Sequence, residues 1–250
     1  MMKQTKRLTR PYVRAVQGGY RAMRHAISAK SPLRFRTRID TALDHFDLYM
    51  VDHGVFRAIY SNTHKLTEEA WRSSQPAPAM IRRLARRRGL RTVINLRGDR
   101  DCGSYRLEKA ACDRYGVTMV DFVVKSRQAP APRVFHEAKA LFDSIEYPML
   151  LHCKSGADRA GLMSVLFMIL KAGMPVAEAK RQLSLRYGHI KQADTGVLDM
   201  VFESYLAHFS REPIAFLDWV DRHYDDRAIN QSFHARGWAN LFVNRLMKRE

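Results

Sequence analysis

The chain has 250 residues, enough for one substantial core with helices appended, and 46% of them are hydrophobic, which excludes a disordered polypeptide. Lys and Arg number 43 against 25 Asp and Glu, a formal net charge of +18, so the surface attracts polyanions such as nucleic acid, anionic lipid or phosphorylated protein. Cys102, Cys112 and Cys153 form no CxxC pair, which argues against a disulfide scaffold or a structural zinc site and for a reducing compartment.

Residues 1–39 hold eleven Lys or Arg and no Asp or Glu. Within them Tyr12, Val13, Val16, Tyr20, Met23 and Ile27 recur at roughly helical spacing. Such a basic amphipathic stretch is a solvated helix, a loose arm, or a segment lying on an anionic membrane surface. It lacks the apolar core of a secretory signal. No stretch approaches the ~18 uninterrupted apolar residues of a spanning helix. The expected location is cytoplasmic, peripheral on the inner face of the membrane. Asp40 to Asp52 is acidic and predicts a short helix leading to Gly54.

Alternating residues Val55–Tyr60 predict a first strand, and Ala70–Ser74 a second that ends at Gln75-Pro76. A helix over 78–88 stops at Gly89, and Thr92–Leu96 is a third strand. Ser104 is the predicted N-cap of a helix running to Tyr115, with Gly116 as its stop. Val117–Val124 is the next strand, Pro132 opens a helix to about Ile145, and Pro148 leads into an apolar strand ending at His152. The apolar Leu162–Leu170 reads as a buried helix, and the remainder as helices over 175–187, 196–209, 213–223 and 230–249. Strands alternating with helices of this length predict an α/β fold: a mostly parallel central sheet flanked by helices. Ligands bind such sheets at the carboxyl ends of strands, where Cys153 falls.

The strand-to-helix junction is His152-Cys153-Lys154-Ser155-Gly156-Ala157-Asp158-Arg159. A tight loop entering a helix points backbone N–H groups inward at the positive end of the helix dipole, a concavity suited to a phosphoryl group. Cys153 supplies a nucleophile at its base, and Arg159 can give two parallel hydrogen bonds to phosphoryl oxygens. The spacing resembles the signature loop of the cysteine-dependent protein tyrosine and dual-specificity phosphatases. Trp71-Arg72-Ser73-Ser74-Gln75-Pro76 is similar to an edge-strand motif of the atypical bacterial, plant and fungal branch, and Val93-Ile94-Asn95-Leu96-Arg97 to another of its strands.

The resemblance covers about residues 54–175. It implies three parts: a basic N-terminal extension (1–50), a phosphatase-like catalytic domain (51–190) and a C-terminal helical extension (191–250). It implies a phosphomonoesterase that works through a cysteinyl-phosphate, with no cofactor and no metal. Cys153 and Arg159 would be catalytic, Lys154, Ser155, Gly156 and Ala157 would bind the phosphoryl group, and His152 would support the loop. Phosphotyrosyl or other phosphorylated protein is the implied substrate. The alternatives are a membrane-lipid-linked phosphate, to which the basic arm would dock the enzyme, and a pseudophosphatase that only binds phosphorylated partners. No nucleic acid is expected, because no recognition motif accompanies the charge.

Two departures from the family pattern stand out. The general acid is usually an Asp some thirty residues before the cysteine, but Val124-Lys125-Ser126-Arg127-Gln128-Ala129-Pro130 holds no carboxylate. Asp158 inside the loop is the preferred stand-in, ahead of Asp99 and then Asp121. Ala160 stands where a Ser or Thr usually hydrogen-bonds the departing sulfur.

The charge pattern of residues 1–39 generates one test. Deleting them should abolish sedimentation with anionic vesicles at low salt, each adsorbed basic residue being worth ~1 kcal/mol there. Unchanged sedimentation would remove the membrane-surface reading.

Overall fold

The computed structural model describes residues 62–234 and Asp44. The basic arm of residues 1–39, most of the expected acidic helix, the expected strand at 55–60 and the end of the last helix lie outside the described residues. Within them a five-stranded sheet runs in the order β1-β2-β5-β3-β4, with β1 at His64–Thr67, β2 at Ala70–Ser73, β3 at Thr92–Asn95, β4 at Thr118–Asp121 and β5 at Met149–His152. β1 is antiparallel to β2, and the other neighbours are parallel. The fold is the expected α/β arrangement with a mostly parallel sheet.

Period-two alternation explains how one sheet holds two apolar layers. Val93 and Leu150 are cross-strand partners on one face, where α1 (Pro78–Arg88) and α2 (Gly103–Tyr115) cover them with Ile81, Leu84, Ala111 and Cys112. Ile94 and Leu151, one step along, point to the other face. There they meet α3 (Pro132–Ser144), α4 (Asp158–Leu170), α6 (Val197–Phe209) and α7 (Phe216–Arg222). α4 is buried from Ala160 to Met168, as its all-apolar sequence requires. By contrast α1 buries only Ile81 and Leu84 and exposes Arg82, Arg83, Arg86, Arg87 and Arg88 to solvent.

Several local expectations change. β1 was not anticipated, because His64-Lys65-Leu66-Thr67 carries little apolar pattern, and its presence puts the Trp71–Pro76 stretch inside the sheet instead of at its edge. Cys102, not Ser104, occupies the N-cap of α2; Ser104 is buried as the second residue of the helix, 3.3 Å from the Cys102 sulfur. β4 ends at Asp121, and 122–131 form a loop.

The single helix expected over 175–187 is α5 (Val176–Ala179) followed by short 3-10 turns at Lys180–Gln182 and Leu185–Tyr187. Gly188, at φ +78, then turns the chain back. The reason for this broken path is close packing: a Cβ on Gly161 of α4 would lie 2.7 Å from Leu183 and 3.2 Å from the Gln182 carbonyl.

The helices after residue 190 share the core of the sheet. Phe202, Tyr205, Phe216, Trp219 and Tyr224 interlock as aromatic rings beside Phe135 of α3. Trp219→Ala should therefore lower global stability by about 3–5 kcal/mol, read as a shift of the denaturant midpoint for the transition that unfolds the sheet. A separate transition confined to the C-terminal helices would contradict a shared core.

Candidate active site

At the carboxyl end of β5 the chain leaves the centre of the sheet, with His152 paired to Ser73 of β2 and Asn95 of β3. The four peptide carbonyls that follow Cys153 are all held from outside the loop. Lys154 O accepts the Gln75 amide at 3.4 Å, and Ser155 O accepts Asn62 Nδ2 at 2.9 Å. The buried Arg72 guanidinium donates to Gly156 O at 2.7 Å and to Ala157 O at 3.1 Å. A planar trans peptide sets its N–H opposite its C=O, so pinning these oxygens outward turns the amides of residues 155–158 inward. One of them is already engaged: Gly156 N–H donates to the Cys153 sulfur at 3.3 Å.

Gly156 is the one residue type the turn accepts. Its φ is +76, and a Cβ there would fall 2.7 Å from the Ser74 nitrogen and 2.8 Å from the Ser73 carbonyl carbon. Thus Arg72, Ser73, Ser74 and Gln75 act together as the wall against which the loop is moulded. Arg72 also donates to the Gln182 carbonyl at 2.6 Å and stacks 4.1 Å from the Tyr187 ring centroid. Burial pulls its pKa down to about 10, which leaves it charged at neutral pH.

Beneath the loop a second buried chain supports His152. Its Nε2 lies 2.6 Å from Glu108 Oε1, off the direction of a hydrogen bond, and neither side chain is exposed. Glu108 accepts Gln75 Nε2 at 2.5 Å, and Gln75 Oε1 accepts Arg97 at 2.5 Å. So Gln75 serves both the loop carbonyl and the His152 support.

Cys153 is 2% exposed at the base of the loop. Arg159, in the first turn of α4, donates to Leu96 O at 3.3 Å, and burial lowers its pKa. With Asp158 it lines a pocket of about 480 Å³, whose other walls are Val124, Lys125, Ser126, Arg127, Gln128 and Thr195. Ala160 is wholly buried, its carbonyl taken by Ser164 Oγ at 2.6 Å.

Of the three acid candidates, only Asp158 lines this pocket. Asp121 is the last residue of β4 and accepts Asn95 Nδ2 at 2.7 Å and the Tyr105 hydroxyl at 2.8 Å, against a different pocket. Asp99 is exposed beyond the end of β3.

The sequence reading missed the partner of Asp158. His189 Nδ1 lies 2.8 Å from Asp158 Oδ1 and its Nε2 2.7 Å from Asp199 Oδ2. His189 is 1% exposed; burial opposes its charge, but the two carboxylates outweigh it and raise its pKa to about 9. The signal was faint: a glycine stop, a histidine after it, and an Asp on the otherwise apolar buried face of α6.

Residues 51–196 match the family described as DSP-PTPase phosphatase fused to NAD+ kinase. The chain belongs to this family. It is thus a phosphatase of the cysteine-based dual-specificity type. The match ends three residues before Asp199. No curated protein matches the chain. Among solved structures it is similar to TpbA of P. aeruginosa, with 20% identity, 60% of this chain and 92% of that one covered, and a TM-score of 0.46. It is similar also to PTPMT1, at 17% identity, 60% and 99% coverage and a TM-score of 0.43, and to Tk-PTP, at 18%, 57% and 97%, and 0.42. Among the described residues no helix is long and apolar enough to cross a membrane.

The clamp on Asp158 predicts a pH dependence. The folded pKa of His189, about 9, lies above its ordinary value of 6.5. Its contribution to stability is therefore complete below pH 6.5 and fades as pH rises through 9. The shift corresponds to on the order of 3 kcal/mol. The stability gap between the native chain and His189→Gln should be wide at pH 6 and narrow by pH 9.5 in denaturant titrations. A gap independent of pH would mean that His189 is neutral in the fold.

Proposed function

We propose that the chain hydrolyses phosphomonoesters through a cysteinyl-phosphate on Cys153. The observation that carries this reading is the set of four outward-held carbonyls, which turns the loop amides inward, with the Gly156 N–H on the Cys153 sulfur. Inward amides and the dipole of α4 face the equatorial oxygens of the phosphoryl group, to which Arg159 adds a planar fork. Nucleophile and countercharge are both side chains, so the reaction proceeds with EDTA present.

Asp158 and His189 act as the acid–base unit. In the first half-reaction sulfur bonds to phosphorus, the phosphorus–oxygen bond to the leaving group breaks, and the pair gives that oxygen a proton. In the second, water attacks phosphorus and gives its proton to the pair, the sulfur–phosphorus bond breaks, and inorganic phosphate leaves the regenerated Cys153. His189 and Asp199 hold the Asp158 carboxylate in place between the two steps, which explains how a loop without an acid at 124–130 is tolerated. Ala160 gives the departing sulfur no hydroxyl, so breakdown of the cysteinyl-phosphate is the slow half.

Phosphotyrosyl or other phosphorylated protein is the default substrate of the resemblance, and lipid-linked phosphate its rival. Support for a lipid acyl chain is weakest at the pocket itself, where Val124 is the one apolar residue of eight.

Hydrolysis of p-nitrophenyl phosphate in EDTA tests the whole scheme. Cys153→Ser should lose activity entirely and keep its fold. Asp158→Asn should lower kcat by about 10²–10⁴, the usual worth of a positioned acid or base, with the deficit larger for alkyl than for aryl leaving groups. Activity surviving in Cys153→Ser would overturn the mechanism.

A further inference from the structure

The loop where the family usually keeps its acid has cations instead, and it is not slack. Val124 and Ala129 are each 5% exposed, Ala129 N–H donates to Asn230 Oδ1 at 2.9 Å, and the Tyr224 hydroxyl donates to Pro130 O at 2.6 Å. Between these anchors Lys125, Ser126, Arg127 and Gln128 are presented to the pocket that Arg159 closes from the other side. Neither Lys125 nor Arg127 forms an ion pair among the described residues.

The charges do not balance for a single phosphate. Amides, the α4 dipole and Arg159 answer one dianion. The only carboxylate of the wall, Asp158, is already met by His189. Lys125 and Arg127 remain over, and Arg97 and Arg100 add to the positive field felt by Arg159. Volume points the same way. At about 480 Å³ the pocket falls in the range that holds a whole small molecule, many times larger than one phosphate group. Of its lining side chains only Val124 is aliphatic and none is aromatic.

We propose that Lys125 and Arg127, with Ser126, Gln128 and Thr195, form a second anion subsite, and that the substrate is a small soluble phosphomonoester whose leaving group carries a second phosphate. The inference rests on the reading of the Cys153 loop as a phosphate cradle. Lys125 and Arg127 are then specificity-determining residues: they meet the retained phosphate while the cradle holds the transferred one, and the second charge orients the leaving oxygen toward Asp158.

Binding without turnover separates this proposal from the one beneath it. Full-length Cys153→Ser protein in EDTA is titrated calorimetrically with butylphosphonate and with butane-1,4-bisphosphonate. The bisphosphonate should bind at least tenfold more tightly. That preference should fall to within twofold when Lys125→Ala and Arg127→Ala are added, exposed substitutions that leave the core untouched. Equal affinity for the two probes, or a preference that survives the double substitution, would overturn the subsite and leave the cradle standing. No binding of either probe would overturn the cradle, and the subsite with it. A phosphotyrosyl peptide that binds the parent protein tenfold more tightly than the bisphosphonate, with no loss in the double variant, would overturn the small-molecule assignment.

Discussion

A phosphate cradle made of peptide amides depends on where the carbonyls go. Four consecutive oxygens, from Lys154 to Ala157, must find donors on the far side of the loop, or the peptides turn over and the cradle inverts. Gln75, Asn62 and Arg72 supply those donors. Arg72 carries half the set, and it does so from the interior of the sheet, where an unpaired guanidinium would be costly. Its remaining contacts, to the Gln182 carbonyl and the Tyr187 ring, make the charge tolerable there. One buried cation therefore binds β2, the Cys153 loop and the 180–187 segment into a single unit.

That unit extends to the carboxylate proposed to handle the proton. The 180–187 segment packs directly on the backbone of α4 at Gly161, and the turn at Gly188 delivers His189 beneath Asp158. From there Asp199 anchors the imidazole to α6, whose apolar face belongs to the same core as the sheet. Asp158 is held by residues that follow the signature loop by thirty to forty positions. On the proposed mechanism the segment after α4 is part of how the loop functions, and the absence of an acid at 124–130 is matched by a carboxylate held from below.

Much of this was legible in the sequence and some of it was not, for reasons that can be named. The layer order and the strand ending at His152 follow from apolar runs punctuated by Gly89, Gly116 and Pro148. The positions of Cys153 and Arg159 follow from that strand and their own spacing. Asp158 was preferred over Asp99 and Asp121 for its place inside the loop. What stayed hidden was the distant partner of each polar residue. Arg72 stands in the Trp71–Pro76 motif, but its hold on the loop carbonyls shows only in the fold, and Glu108 reads as a surface charge on α2 until it is found wholly buried beside His152. The 175–187 stretch has helical composition, and tertiary packing against Gly161 overrides it. β1 went unseen because pairing with β2, not its own pattern, holds it.

Gly156 carries one more consequence. With a left-handed backbone pressed to within van der Waals limits of Ser73 and Ser74, the loop has little room to relax once its guest has been cut. A cradle that is already formed binds any tetrahedral dianion for the same reasons, and interactions shared by substrate and product do not help the chemical step. Inorganic phosphate, the last species to leave, competes on equal terms for the site. On the proposed mechanism the working rate then follows the ratio of phosphoester to free phosphate around the enzyme, and the catalytic loop also acts as a gauge of how much phosphate has already been released.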